Sequence, residues 1–297
     1  MEKVLVLVGQ TAVGKTSLSI HLAKQLNGEI INGDAFQVYR EFNILTDKIQ
    51  DFEMGNIPHH LLNIKSIHEN YSVKEHQENI RKKIHEISLK GKLPIIVGGT
   101  GFYIKAALYD YQFETENEDH LQIEEKYKNF TNEELYQILK KIDKDATKTI
   151  HVNNRRRVLR AIEIYENTGK AKSTIISTQQ HKLLYDAIII NLELEKDCIN
   201  EKIDQRIDEM FEKGIVDEIL NNQTTTTASK AIGYPEITQY LNQEISLNEA
   251  KNLMKIHTHQ YAKRQRTWYR NQFQAYSIYN NDLAIKKIME IISFKWS

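Results

Sequence analysis

Val4, Leu5, Val6, Leu7 and Val8 form an unbroken apolar run, the pattern of a strand buried on both faces. Over residues 17–26 the apolar positions fall at Leu18, Leu22, Ala23 and Leu26, which predicts a helix packed along one side. Glu29-Ile30-Ile31-Asn32-Gly33 predicts a second strand, and residues 60–64 a short third one. Ser72 and Glu75 make a capping box that opens a helix, which Gly91 closes. Residues 93–97 are again continuously apolar and run into Gly98-Gly99-Thr100-Gly101. Strands and helices in alternation, with strands that do not alternate in polarity, predict an α/β fold: a parallel sheet covered by helices.

The pattern then changes. Residues 114–125 are acidic and weakly patterned. Thr131 and Glu134 cap a helix carrying Leu135, Ile138, Leu139 and Ile142, and a second helix spans 154–165 and closes near Gly169. The next strand-like run, 187–192, reads as a return to the sheet. Residues 116–184 are therefore expected to be a helical insertion domain within a discontinuous core of 1–115 and 185–297. The remainder is expected to be mostly helical, with one helix over 199–213. A long one is capped by Ser246 and Glu249 and reaches Arg270. Thr224, Thr225, Thr226 and Thr227 predict a flexible loop. No long-period repeat is present.

Forty Lys and Arg balance forty Asp and Glu over 297 residues, so no global field draws the chain to a polyanion. Any such site is built from local clusters. One cysteine, Cys198, excludes an internal disulfide and a cysteine-rich zinc site and suits a reducing cytoplasm. It is expected to be a structural thiol, buried or partly exposed. No apolar run approaches membrane-spanning length and none at the N-terminus resembles a signal peptide, so a cytoplasmic protein without membrane contact is expected.

Gly9-Gln10-Thr11-Ala12-Val13-Gly14-Lys15-Thr16 is a complete G-x-x-x-x-G-K-[ST] phosphate loop between the first strand and the first helix. Such a loop presents backbone N–H groups at a helix N-terminus, with Lys15 as a point charge for phosphate oxygens and the Thr16 hydroxyl placed for Mg²⁺. The expected fold is thus a phosphate-loop NTPase-like α/β sheet. Asp34 follows the second strand at the sheet edge where ligands bind. It can serve as a magnesium ligand through water or as a general base, or be a plain cap or solvated carboxylate. Gly98-Gly99-Thr100-Gly101 suggests a backbone that approaches a ligand closely, or a simple strand-to-helix turn. No aspartate follows that strand, where a nucleotide hydrolase would place its magnesium ligand.

Two basic clusters stand out: Arg155, Arg156, Arg157 and Arg160, and Lys263, Arg264, Arg266 and Arg270 interleaved with Tyr261, Trp268 and Tyr269. Arginine beside aromatics suits contact with single-stranded nucleic acid, while a solvated basic face is the alternative. His59-His60 points to opposite sides of an extended segment, one packed and one exposed, rather than to a metal.

Further motifs occur in order along the chain: Asp34-Ala35-Phe36-Gln37-Val38-Tyr39, Pro58-His59-His60-Leu61, Gly98-Gly99-Thr100-Gly101-Phe102-Tyr103, Arg157-Val158-Leu159-Arg160-Ala161-Ile162-Glu163, Gly233-Tyr234-Pro235-Glu236, and the run from Tyr261-Ala262-Lys263-Arg264 to Arg270. Together with the phosphate loop they resemble the bacterial tRNA dimethylallyltransferases over nearly the whole chain. The resemblance implies a phosphate-loop core with an insertion that holds the anticodon stem-loop. It also implies transfer of a dimethylallyl group from dimethylallyl diphosphate to N6 of adenosine 37 in tRNAs that read codons beginning with U. It assigns Gly9, Gln10, Thr11, Ala12, Val13, Gly14, Lys15 and Thr16 to the diphosphate with Mg²⁺ on Thr16, Asp34 to the amino group as general base, and Thr100 to the reaction channel. Ala35, Phe36 and Gln37 would meet the flipped base. Arg156, Arg157, Val158, Leu159, Arg160, Lys263 and Arg266 would contact tRNA. A monomer is expected.

Several residues depart from the family pattern. Gln10 replaces a proline, Val13 and Ala35 replace serines, and His259 replaces an arginine. Asn43-Ile44-Leu45-Thr46-Asp47-Lys48 replaces asparagine-isoleucine-glycine-threonine-alanine-lysine, and the zinc-finger extension of the eukaryotic members is not expected. The rival reading is a phosphate-loop small-molecule or nucleotide kinase with Asp34 as base and the insertion as lid. A third is a non-enzymatic RNA-binding switch.

Overall fold

The computed structural model describes residues 1–113, 120–178 and 180–297. The chain divides into two compact units, Met1–Tyr109 with Leu183–Ser297, and Asp110–Lys182. In chain order the first unit opens with β1 (Lys3–Gly9), α1 (Lys15–Gln25), β2 (Gly28–Asn32), β3 (His59–His60), α2 (Val73–Leu89), β4 (Leu93–Val97) and α3 (Gly101–Leu108). The second unit holds α4 (His120–Lys126), α5 (Asn132–Ile142), α6 (Arg155–Thr168) and α7 (Lys172–Thr178). The first unit resumes with β5 (Asp186–Glu193), α8 (Lys196–Glu212), α9 (Ile215–Asn221), α10 (Tyr234–Leu241), α11 (Leu247–Gln272), β6 (Tyr276–Tyr279) and α12 (Ala284–Trp296).

The six strands form one parallel sheet in the order β3-β2-β4-β1-β5-β6. Successive residues of β1 explain its unbroken apolar run. Leu5 and Leu7 join the core on one face with Leu22, Ile95 and Ile190, while Val4, Val6 and Val8 join the other with Ile84, Ile96 and Ile189. Each face is covered, so positions 4–8 of the strand are all apolar. The strand order also sets the site, because β4 lies between β1 and β2. The loop after β4 therefore sits between the phosphate loop after β1 and Asp34 after β2, at the carboxyl edge of the sheet.

The second unit has its own core, in which Leu135 and Leu139 of α5 pack with Val158, Ala161 and Ile162 of α6. The Thr131–Glu134 capping box forms as expected, and Gly169 closes α6 in the left-handed conformation. Of the acidic stretch 114–125, residues 114–119 lie outside the described residues.

Some expectations need correction. The third strand is only His59–His60, because Leu61 and Asn63 adopt φ of 64° and 57° and turn the chain. His59 and His60 are both half-buried, His59 against the Ile57 carbonyl and His60 on buried Glu29 at 2.7 Å. The threonine tract is not loose. Thr224 and Thr226 both donate to the Ile67 carbonyl (2.6 and 2.5 Å), and Thr227 Oγ1 accepts the Tyr71 N–H at 3.1 Å. Cys198 is exposed on α8. No helix among the described residues is long and apolar enough to cross a membrane.

Candidate active site

Between β1 and α1 the chain turns through Gly14 at φ 87°, a conformation that a side chain would strain. Lys15 Nζ donates to the Gly9 and Gln10 carbonyls at 2.9 and 2.7 Å. Burial pulls the Lys15 pKa down to about 7, nearby Arg206 pushes it the same way, and Asp34 opposes both. Residues from the far end of the chain fix the loop. Gln265 Oε1 accepts the Thr11 N–H (2.9 Å), Arg206 donates to Thr11 Oγ1 (2.8 Å) and Asn280 donates to the Val13 carbonyl (2.7 Å). Gln10 itself donates to the Ala262 carbonyl at 3.0 Å, a tie to α11 that a proline could not make. The Val13 side chain is fully buried in the core, so only its backbone is available to a ligand.

Asp34 is set by a short run of hydrogen bonds. Its N–H donates to Asn32 Oδ1 at 3.0 Å, and its Oδ1 accepts the Phe36 N–H at 2.9 Å. Gly98 lets the loop after β4 close on this segment, for a Cβ there would stand 2.2 Å from the Gly33 carbonyl carbon. Thr100 Oγ1 accepts the Ala35 N–H at 3.0 Å. This contact braces the Asp34 segment, and Thr100 is not on the wall of either cavity described next.

A cavity of about 610 Å³ opens over the sheet edge, lined by loop residues Thr11 to Thr16, by Asp34 and Gln37, by Gly98 and Gly99, and by Arg206, Tyr261 and Gln265. A second, of about 300 Å³, shares Thr11, Asp34, Thr46, Arg206 and Tyr261 with it and is otherwise walled largely by Phe36, Leu45, Ile207, Met210, Ile232 and Met254. Asp34 thus stands where a space lined by the phosphate loop meets a more apolar one. Gly9, Gln10 and Ala35 lie behind these walls rather than on them.

The sequence reading missed Arg206, Gln265 and Asn280. Arg206 directly precedes Ile207 on the buried stripe of α8 (Ile199, Ile203, Ile207, Met210), a charge beside a core position that could have flagged it. The aromatic side of α11 also needs reinterpretation. Tyr269 is 1% exposed, and both it and Gln265 donate to the Gly99 carbonyl (2.7 and 2.8 Å), so this face packs on the loop after β4 and not on nucleic-acid bases. Arg270 is bound to Glu193 at 3.0 Å, whereas Lys263 is exposed and Arg266 half-buried.

In the second unit Arg156 and Arg157 are exposed, and Arg160 pairs with Glu163 at 2.9 Å. Val158 and Leu159 belong to the unit's core at 0% and 7% exposure, which corrects their assignment to a tRNA surface. Their apolar side chains stabilise the α5–α6 packing.

Charge bears on the metal. Lys15, Lys202 and Arg206 face the large cavity together with Asp34, Asp47, Glu53 and Glu209. Three cations against four carboxylates cannot neutralise a diphosphate, and the Thr16 hydroxyl on the same wall is a hard oxygen donor. These residues fit a magnesium ion that takes its other ligands from phosphate and water. They do not form an all-protein cage: among the described residues no group of three or more His, Cys, Asp or Glu could hold a metal.

A phosphate loop ahead of a parallel sheet, with a carboxylate across the cavity, defines a phosphate-loop α/β enzyme. Residues 37–272 match the family model described as IPP transferase. The tRNA dimethylallyltransferase of Anoxybacillus flavithermus is 44% identical over 299 aligned positions, covering 99% of this chain and 96% of that one. That of Bacillus anthracis is 44% identical over 278, covering 91% and 88%. Among solved structures, the full-length tRNA isopentenylpyrophosphate transferase of Bacillus halodurans is similar with TM-score 0.75 at 36% identity, covering 99% of this chain and 97% of that one. A eukaryotic dimethylallyltransferase captured acting on tRNA is similar with TM-score 0.87 at 30% identity, covering 100% and 79%. The chain belongs to the tRNA dimethylallyltransferase (IPP transferase) family.

Proposed function

We propose that this enzyme transfers the dimethylallyl group of dimethylallyl diphosphate to N6 of adenosine 37 in tRNAs that read codons beginning with U, releasing diphosphate. The observation that carries the reading is the position of Asp34, across one cavity from Lys15 and the loop amides and bordering a second, apolar cavity. The loop amides, Lys15 and Arg206 hold the diphosphate and stabilise the charge that develops on it as the allylic C–O bond breaks. The C1–N6 bond forms, the C–O electron pair leaves with diphosphate, and Asp34 accepts the N6 proton. Thr16 would hold a Mg²⁺ ion together with phosphate and water, and the bound ion would further neutralise the leaving group. Adenosine 37 lies in a loop, and unstacking a loop base costs only a few kcal/mol.

The exposed Arg156 and Arg157, with Lys263 and Arg266, are the side chains we assign to tRNA phosphates. A tRNA substrate sets the reaction in the cytoplasm. We propose a monomer as the working unit. The kinase reading is disfavoured by Gly98 at the position after β4 where a magnesium-binding aspartate would stand.

The test is to incubate the protein with labelled dimethylallyl diphosphate and unmodified tRNA, and in parallel with ATP and candidate acceptors. Label is expected in tRNA, and Asp34→Ala is expected to lower the rate by about 10²–10⁴-fold. Phosphoryl transfer from ATP with no prenylation would refute the reading.

A further inference from the structure

We infer that Gln265, a residue of α11, is a positioning residue for the transfer step: it sets the separation between the loop that holds the leaving group and the segment that carries the base. The inference rests on the function proposed above and adds a residue to it. Gln265 is 6% exposed, and both ends of its carboxamide are hydrogen-bonded. Oε1 accepts the Thr11 N–H of the phosphate loop at 2.9 Å, and Nε2 donates to the Gly99 carbonyl at 2.8 Å. One rigid planar group therefore spans two loops that the strand order makes neighbours at the sheet edge.

Gly99 is the contact point on both sides. A Cβ built there would stand 2.8 Å from Gln265 Nε2 and 3.4 Å from Asp34 Oδ2, so the amide and the carboxylate crowd the same backbone position. A displacement of the phosphate loop is thus carried through Gln265 to the backbone beside Asp34. The same helix holds the loop at a second point, through Gln10 and the Ala262 carbonyl, and holds Gly99 through Tyr269. The Tyr269 hydroxyl also meets both segments, at the Gly99 carbonyl and the Gly9 backbone, but Gln265 is the side chain that reaches Thr11, on the ligand-facing part of the phosphate loop. Misplacing reacting groups by about 1 Å costs roughly 100-fold in rate, so a brace of this kind acts on kcat more than on binding.

Two substitutions separate the possibilities. Gln265→Glu keeps an acceptor for the Thr11 N–H and opposes an oxygen to the Gly99 carbonyl, whereas Gln265→Met keeps the volume and removes both bonds. In steady-state transfer, Gln265→Glu is expected to lose about 10-fold and Gln265→Met about 100-fold in kcat. KM for the allylic diphosphate and for tRNA is expected to stay within about threefold in both. A rise in KM at unchanged kcat, or wild-type kinetics in both variants, overturns the inference. If Gln265→Met fails to fold by circular dichroism, Gln265→Glu carries the test.

A second readout is independent of transfer. Trp268 packs on Gly101, where a Cβ would stand 2.3 Å from its ring, and so reports on the loop after β4. In a Trp296→Phe background, magnesium pyrophosphate is expected to change Trp268 fluorescence in the protein with Gln265 and not in Gln265→Met, while calorimetry shows pyrophosphate bound to both. An equal fluorescence change in both overturns the brace. Wild-type protein that responds to pyrophosphate yet never labels tRNA would instead refute the proposed function and leave the brace standing.

Discussion

Lys15 offers the sharpest quantitative test. In the ligand-free protein its pKa lies at about 7, pulled down by burial and by Arg206. A bound diphosphate brings several negative charges against the ammonium and returns its pKa above the working range. At pH 8 a group of pKa about 7 is about 90% neutral, so binding should draw in roughly 0.9 proton, and at pH 6 only about 0.1. The same linkage weakens diphosphate affinity about tenfold between pH 6 and pH 8. Calorimetric titration with magnesium pyrophosphate, repeated in buffers of different ionisation enthalpy, counts the protons. Pyrophosphate titrates in this range as well, so the Lys15 contribution is the difference from Lys15→Arg, whose guanidinium stays charged. A wild-type count equal to that of Lys15→Arg at pH 8 would refute the reasoning.

The sign is opposite for stability. Because the folded-state pKa of Lys15 is lowered, its charge destabilises the ligand-free fold below pH 7, and that cost diminishes as pH rises from about 7 toward 10.5. Glu29 provides the acid-side counterpart. Burial alone would raise its pKa, but hydrogen bonds from Lys92, His60 and Lys90 outweigh burial and hold it at about 2. Its contribution is present above pH 4.5 and is lost as pH falls toward 2. Glu29→Gln should cost about 3 kcal/mol at pH 7 and flatten the fall in melting temperature over that acid range, read by thermal melts in a pH series. Gly98→Ala should cost about 3 kcal/mol, because the added methyl meets Gly33 backbone rather than a yielding side chain, and a denaturant titration measures it.

The sheet was legible because both its faces are buried. Continuous apolar runs could only be strands of a covered parallel sheet, and they led straight to the phosphate loop and to Asp34. The edge strand β6 was invisible for the opposite reason: only Ile278 of its four residues is buried, too little for a run. Thr224, Thr226 and Thr227 read as a loose tract because hydroxyls that serve distant carbonyls look the same in sequence as hydroxyls in water. Gln265 escaped for a related reason. A buried amide on an otherwise amphipathic helix breaks the apolar pattern, and only its two partners explain it. The aromatic residues of α11 had the composition of a stacking surface, yet three-dimensional packing directed them against Gly99 and Gly101.

The pairing of β1 with β5 runs the full length of β1, from Lys3 opposite Asp186 to Gly9 opposite Leu192. On the ribosome this has a cost. The nascent chain has made the phosphate loop by residue 16, but β1 keeps one edge open until residues 186–193 have emerged. Val4, Val6 and Val8 meanwhile wait for part of their cover, with the whole second unit synthesised in between. A bare central strand of this kind is a template for wrong pairing. Synthesis of this enzyme should therefore depend on a chaperone that shields the first hundred residues, and a chain truncated before β5 should aggregate rather than fold.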